Sequence, residues 1–118
     1  MQLKWTKRIS LAQSGVDRIK AIAGVYRLIN YNRTDNKYYV YYVGQADDLN
    51  NRLAQHLSDN ETNECCQKYL NNYLCYFRAA AISGQADRDG AEVALYNKFK
   101  PTCVERIPDV KPIEINFD

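Results

Sequence analysis

Two runs of strand-type residues bracket a short polar segment, and that arrangement limits the fold more than any other feature of the chain. Residues 25–31 read VYRLINY and residues 37–43 read KYYVYYV, both rich in β-branched and aromatic side chains. Between them, residues 32–37 are polar and rich in Asn and Asp, the chemistry of a turn. The pattern predicts an antiparallel hairpin. In such a pair the start of one strand lies beside the end of the next. Tyr26, near the start of the first run, and Tyr42, near the end of the second, are thereby brought to the same end.

Gly44 stops the second strand and a helix follows, with Asp47 or Asp48 as its cap. Leu49, Leu53 and Leu57 recur every four residues and form its apolar stripe. Arg52 and His56 share that spacing on a neighbouring stripe, which aims both toward the two tyrosines. Each of these side chains also has an ordinary role open to it: the tyrosines as core residues, Arg52 and His56 as a solvated helix face.

Elsewhere the rhythm predicts a short helix within 10–22, weakened by Gly15, after a loose lead-in over 1–9. A polar loop is expected over 58–64 and a helix over 64–73, with Cys66, Tyr69, Leu70 and Tyr73 as its apolar face. Residues 74–82 are a third strand candidate, although three alanines fit a helix as well. A last helix capped by Asp87 or Asp89 runs to about 99, with Glu92 in its first turn and Pro101 just beyond. A carboxylate in a first turn also suits the helix dipole, so Glu92 has a structural reading too. The proline-containing tail is expected to lie extended, ending in a short strand over 113–115.

At 118 residues the chain is expected to form one domain over 1–118, long enough to bury a core. No apolar run approaches a membrane span, and the first ten residues lack the apolar centre of a signal peptide, so no membrane partner and a cytoplasmic location are expected. The net charge of +2 is uninformative as a total. Residues 1–60 hold nine basic and five acidic side chains, whereas 61–118 hold seven and nine. That asymmetry permits a nucleic-acid-facing side, as well as an ordinary solvated surface. Cys65, Cys66, Cys75 and Cys103 lack zinc-site spacing and read as four reduced thiols.

The ordered set of motifs resembles the GIY-YIG nuclease superfamily over about residues 22–104. Gly24-Val25-Tyr26 and Tyr42-Val43-Gly44 match its two tripeptides, followed by Ala46, Leu49, Arg52 and His56 at the family's spacing. A second block, Glu92, Leu95, Lys100 and Pro101, matches the family's later helix. The resemblance implies an α+β fold with a small three-stranded antiparallel sheet flanked by helices. It implies a metal-dependent DNA endonuclease, with Tyr26, Tyr42, Arg52, His56 and Glu92 catalytic. Glu92 would hold one divalent ion, Mg²⁺ or Mn²⁺, and Tyr26 would activate the water, with Tyr42 and His56 sharing the proton. DNA, including branched or single-stranded forms, is the implied partner. Arg27, Arg33 and Lys37 are candidates for contacts to its backbone, and the loop 31–38 or residues 1–20 for specificity. The chain departs from the family at the long tyrosine-to-tyrosine linker, at Gln45, where many members have Lys, and at Val104, where most have Asn. The last departure leaves open a second reading, a catalytically impaired nucleic-acid-binding module.

Overall fold

The structure, a computed structural model, describes residues 1–58 and 61–118. The elements in chain order are β1 (Ile9–Ser10), α1 (Gln13–Val16), β2 (Gly24–Asn32), β3 (Lys37–Ala46), α2 (Leu49–Leu57), α3 (Glu64–Asn72), β4 (Leu74–Ala81) and α4 (Gln85–Phe99). The fold is α+β, one antiparallel sheet in the order β1-β4-β2-β3 with helices against it.

The sheet has four strands rather than the three expected. The extra one, β1, pairs only Ile9 with Phe77 and Ser10 with Tyr76, too short a run to leave an alternating pattern in the sequence. The lead-in before it is not loose. Thr6 donates its backbone N–H to the Ala79 carbonyl at 2.9 Å, and the Trp5 indole donates to the Asn116 carbonyl at 2.8 Å. The chain start is thus tied both to β4 and to the tail.

Alternate residues of the central strands feed two separate cores, because the sheet is covered on both sides. On one side Tyr26, Leu28 and Phe77 pack with Leu49 and Leu53 of α2, Cys66 of α3 and Val16 of α1. On the other, Val25, Val43 and Ala80 pack with Ala91 and Leu95 of α4. This explains why β2 is buried continuously from Gly24 to Asn30. It also settles the alanine-rich stretch as a strand, with Ala79 in one core and Ala80 in the other.

Several local expectations are corrected. The helix expected within 10–22 amounts to the four residues of α1. There a Cβ at Gly15 would sit 2.0 Å from the Ser10 carbonyl oxygen, so the chain is pressed against itself. α4 begins at Gln85 with Gly84 as its N-cap, and neither Asp87 nor Asp89 caps it. Glu92 consequently lies two turns in, where the dipole of the first turn no longer explains it. Tyr73 follows the end of α3 and is exposed rather than part of a buried face. Residues 113–115 form no strand. The tail instead packs on α4, where a Cβ at Gly90 would meet Ile113 Cγ2 at 2.7 Å. The polar loop expected over 58–64 includes residues 59 and 60, which lie outside the described residues.

The cysteines are corrected as well. Cys65 and Cys103 form a disulfide, with Cα atoms 5.5 Å apart, while Cys66 and Cys75 are free and buried. The bond joins α3 to the segment after α4, and the Cys103 N–H donates to the Tyr41 carbonyl of β3 at 2.8 Å. A cross-link that spans 38 residues constrains the unfolded chain. Cys103→Ser, or reduction of the bond, should lower the urea unfolding free energy by about 2–4 kcal/mol. Coincident urea curves with and without reductant would contradict this.

Candidate active site

The Gly44 end of the hairpin is assembled by register. Tyr26 pairs with Gly44 and Leu28 with Tyr42. Between Leu28 and Ile29 the register shifts, leaving Tyr41 as an extra residue on β3. Strict alternation from Tyr39 would turn Tyr42 to the opposite face. The bulge brings it back to the face of Tyr26, which is how bulges re-aim side chains. Gly44 lets the Tyr26 ring lie flat across β3, since a Cβ there would sit 2.6 Å from the Tyr26 hydroxyl. The two rings end with centroids 6.1 Å apart.

Asp48 caps α2, its Oδ1 accepting the Asn51 N–H at 2.9 Å. With Leu49 and Leu53 buried against the sheet, Arg52 and His56 face the tyrosines one turn apart. The His56 ring stands edge-on to both, 5.5 Å from Tyr26 and 5.2 Å from Tyr42. The Tyr26 hydroxyl and His56 Nε2 are 2.9 Å apart. Arg52 Nη2 reaches the Tyr42 hydroxyl at 3.5 Å, and its Nη1 donates to Gln55 Oε1 at 3.3 Å. Four of the five residues singled out from the sequence therefore form one cluster.

Two carboxylates join this cluster that sequence reasoning missed. Glu61 is only 4% exposed, and its Oε2 faces His56 Nδ1 in a buried pair. Glu105 lies 3.8 Å from Arg52 Nη2. Asn63 connects them: its N–H donates to Glu61 Oε1 at 3.0 Å and its Nδ2 to Glu105 Oε1 at 3.2 Å. Both acids sit outside the periodic helices, so no spacing marked them.

Burial sets the protonation states. It pushes His56 below its ordinary value, and Glu61 pulls the other way without cancelling it. Burial also works to raise Glu61, but hydrogen bonds from His56 and the Asn63 N–H outweigh it and hold the carboxyl low. The pair is thus a neutral imidazole beside a carboxylate. Nδ1–H donates to Glu61, which leaves Nε2 to accept from the Tyr26 hydroxyl. Burial raises Tyr26 well above an ordinary phenol, helped by Tyr42, and Arg52 opposes this only in part. Tyr42 is raised for the same first reason, with Glu105 adding to it. Both phenols are protonated.

Glu92 comes from α4 on the other side of the sheet and is 6% exposed. Burial pushes its carboxyl up to about 6, Gln45 opposes this, and Asp89 and Glu105 add to it. Glu105 therefore lies within electrostatic reach of Glu92 as well as of Arg52 and Tyr42. Gln45 follows Gly44 on the edge strand and donates to Asp89 Oδ1 at 2.7 Å. Among the described residues no basic side chain pairs with Glu92, and the charged groups acting on it are acidic. A desolvated carboxylate in such a field fits a divalent cation. Among the described residues no group of three or more His, Cys, Asp or Glu could enclose one, so Glu92 would be the main protein ligand, with water and phosphate filling the remaining positions. Val104 is half-exposed at the surface. Arg27 is corrected: it is buried, stacks on Trp5 and Phe99 and donates to the Phe117 carbonyl, so it is a core residue and not a backbone contact.

Comparison with known proteins gives a family and a fold. The family profile of the GIY-YIG catalytic domain matches residues 22–115. The magnesium-bound N-terminal GIY-YIG endonuclease domain of UvrC from Thermotoga maritima superposes with a TM-score of 0.58 at 20% identity, covering 76% of this chain and 91% of that one. An asparagine-to-alanine point mutant of that domain, bound to its catalytic divalent cation, gives 0.58 at 21% identity, with 80% and 94% covered. At such identities the likeness concerns the fold. No curated protein sequence matches the chain at a significant level.

The raised Glu92 carboxyl has a stability consequence. Its cost is absent below the ordinary carboxylate value, where folded and unfolded chains both hold the proton, and is complete once pH exceeds the folded value of about 6. Without divalent metal, Glu92→Gln should stabilise the protein by up to about 2 kcal/mol at pH 8 and leave it little changed near pH 4. Urea unfolding at the two pH values checks this, and an equal effect at both would contradict it.

Proposed function

The chain belongs to the GIY-YIG family, and we propose that it is a metal-dependent endonuclease that hydrolyses DNA phosphodiester bonds. The observation that carries the reading is the directional chain of hydrogen-bonding groups next to Arg52. Arg52 reaches the Tyr42 hydroxyl, the Tyr42 ring lies 6.1 Å from that of Tyr26, Tyr26 meets His56 Nε2, and His56 Nδ1 faces Glu61. Such a chain takes a proton at one end and stores it as an imidazolium against a carboxylate at the other.

The role of each residue follows from its place. Tyr26 is fully enclosed, so it works from the middle of the chain. In this proposal the water gives its proton at the Tyr42 end while Tyr42 hands its own to Tyr26, and Tyr26 passes one to His56 Nε2. The hydroxide so formed attacks phosphorus. Tyr26 remains the phenol on which activation depends, because its hydroxyl meets His56 Nε2 at 2.9 Å. Arg52 has a partly exposed fork held by the weak Glu105 contact, and it exchanges that carboxylate for a phosphate. Glu92 would hold one Mg²⁺ or Mn²⁺ ion, which when bound would supply positive charge to offset the negative charge of the phosphate. A single domain spanning 1–118 carries the activity in this reading. Among the described residues no helix is long and apolar enough to cross a membrane. The proposed cytoplasmic location sets a condition on the Cys65–Cys103 bond, since a reducing compartment keeps thiols apart.

Supercoiled plasmid, branched DNA and single-stranded DNA incubated with Mg²⁺ or Mn²⁺ test the proposal. Cleavage should fall by about 100-fold or more in Glu92→Ala and in Arg52→Ala. Tyr26→Phe should also cut poorly, and unchanged cleavage by it would refute the proton chain. Nucleic-acid binding with no cutting by the parent protein would instead establish the impaired binding module.

A further inference from the structure

On the α4 side, helix covers only the Val25 end of the sheet. The hairpin end carries aromatic and cationic side chains in its place. The rings of Tyr31 and Tyr38 lie 5.0 Å apart, and Tyr38 and Tyr76 5.8 Å apart. The exposed Arg8 guanidinium lies over Tyr38, 3.6 Å from its centroid. A groove of about 530 Å³ runs beside them, and Lys7, Arg8, Arg78, Tyr38, Tyr39 and Phe99 are among its walls. A second, of about 510 Å³, adds Lys98 and Lys100 and shares Tyr38, Tyr39 and Phe99. Among the described residues no carboxylate lines either groove.

We propose that this surface binds the unstacked bases and backbone of single-stranded DNA, and that it delivers such a strand to the nuclease site. Charge and shape both select that occupant. Positive side chains with no lining carboxylate suit a polyanion. Tyr38 is 42% exposed on this face, and an exposed ring is matched by a free base face. A duplex keeps its bases stacked inward and offers this surface only phosphates. Arg8 extends the Tyr38 platform, since a guanidinium plane is itself a stacking surface. The cations crowd one another: burial and the nearby Arg78 bring Arg27 down to about 10, with Asp118 offsetting part of that field. Tyr38 pairs with Tyr31 on the α4 face and Tyr42 with Leu28 on the opposite face, so a strand held on the platform reaches the cluster by passing round the free edge of β3, roughly 13 Å along that strand. The inference rests on the nuclease reading for what becomes of the bound strand.

The test measures fluorescence anisotropy of a labelled thymidine oligonucleotide of roughly 20 nucleotides and of a duplex of equal length. The protein is the full chain carrying Glu92→Ala, so that neither probe is cut. Adding Tyr38→Ser should weaken oligonucleotide binding between about fivefold and a hundredfold, while duplex binding and the Tyr38→Phe variant stay within about twofold. Arg8→Lys, which keeps the charge and removes the guanidinium plane at an exposed position, should show the same selective loss, and it serves if Tyr38→Ser does not fold. Oligonucleotide affinity unmoved in the folded variants, or an equal loss on the duplex, overturns the platform. Plasmid cleavage by the chain with Glu92 intact reports the nuclease reading separately: cleavage with unmoved oligonucleotide affinity sinks the platform alone, and neither binding nor cleavage sinks both.

Discussion

A single buried hydrogen bond, from the Tyr26 hydroxyl to His56 Nε2, ties the sheet to the helix behind it. It constrains nearly everything near it. Tyr26 is fully enclosed, so its hydroxyl needs a partner inside the protein. The imidazole that supplies one is itself buried and needs a partner for its other nitrogen, which Glu61 provides. Gly44 is required by the same contact, because the ring crosses the backbone of β3 where any side chain would stand. Leu49 and Leu53 set the rotation of α2, and with it the direction of His56 and Arg52.

The remaining half of the site depends on the sheet having an open edge. β3 pairs on one side only; Gln45 on that strand acts on Glu92 of α4, and Glu105 acts on both Glu92 and Tyr42. Glu105 is carried by the chain after α4, which is fastened by the Cys103 N–H to β3 and by the disulfide to α3. The protein thereby places a neutral proton-accepting chain and a fixed cation on one side, and an unpaired buried carboxylate on the other. The separation has chemical sense: burial that keeps His56 neutral also keeps Glu92 poised to take up positive charge.

Much of this was legible in the residues. KYYVYYV and VYRLINY read as a hairpin because both propensity and the polar turn agreed, and that placed Tyr26 and Tyr42 at one end. The four-residue spacing of Leu49, Leu53, Arg52 and His56 carried the geometry of α2. What stayed hidden lacks periodicity. The bulge at Tyr41 leaves no mark in a run where every residue suits a strand. Glu61, Glu105 and the Cys65–Cys103 pairing lie in irregular segments whose positions are set by packing at long range. Arg27 looked like a surface cation, yet Trp5 and Phe99 from opposite ends of the chain close over it. The start of α4 was misplaced because aspartates are good caps and glycine was used instead, and only the corrected start strips Glu92 of its dipole explanation.

The protonation of His56 tests the central claim most directly, and the chain contains a single histidine, so its signal is unambiguous. Long-range ¹H–¹⁵N spectra recorded between about pH 5 and 8 report both the tautomer and the midpoint. The account predicts a neutral ring at pH 7 with its proton on Nδ1 and a bare Nε2, titrating below the ordinary value of 6.5. A proton on Nε2 in the neutral ring, or a midpoint at or above the ordinary value, would contradict it.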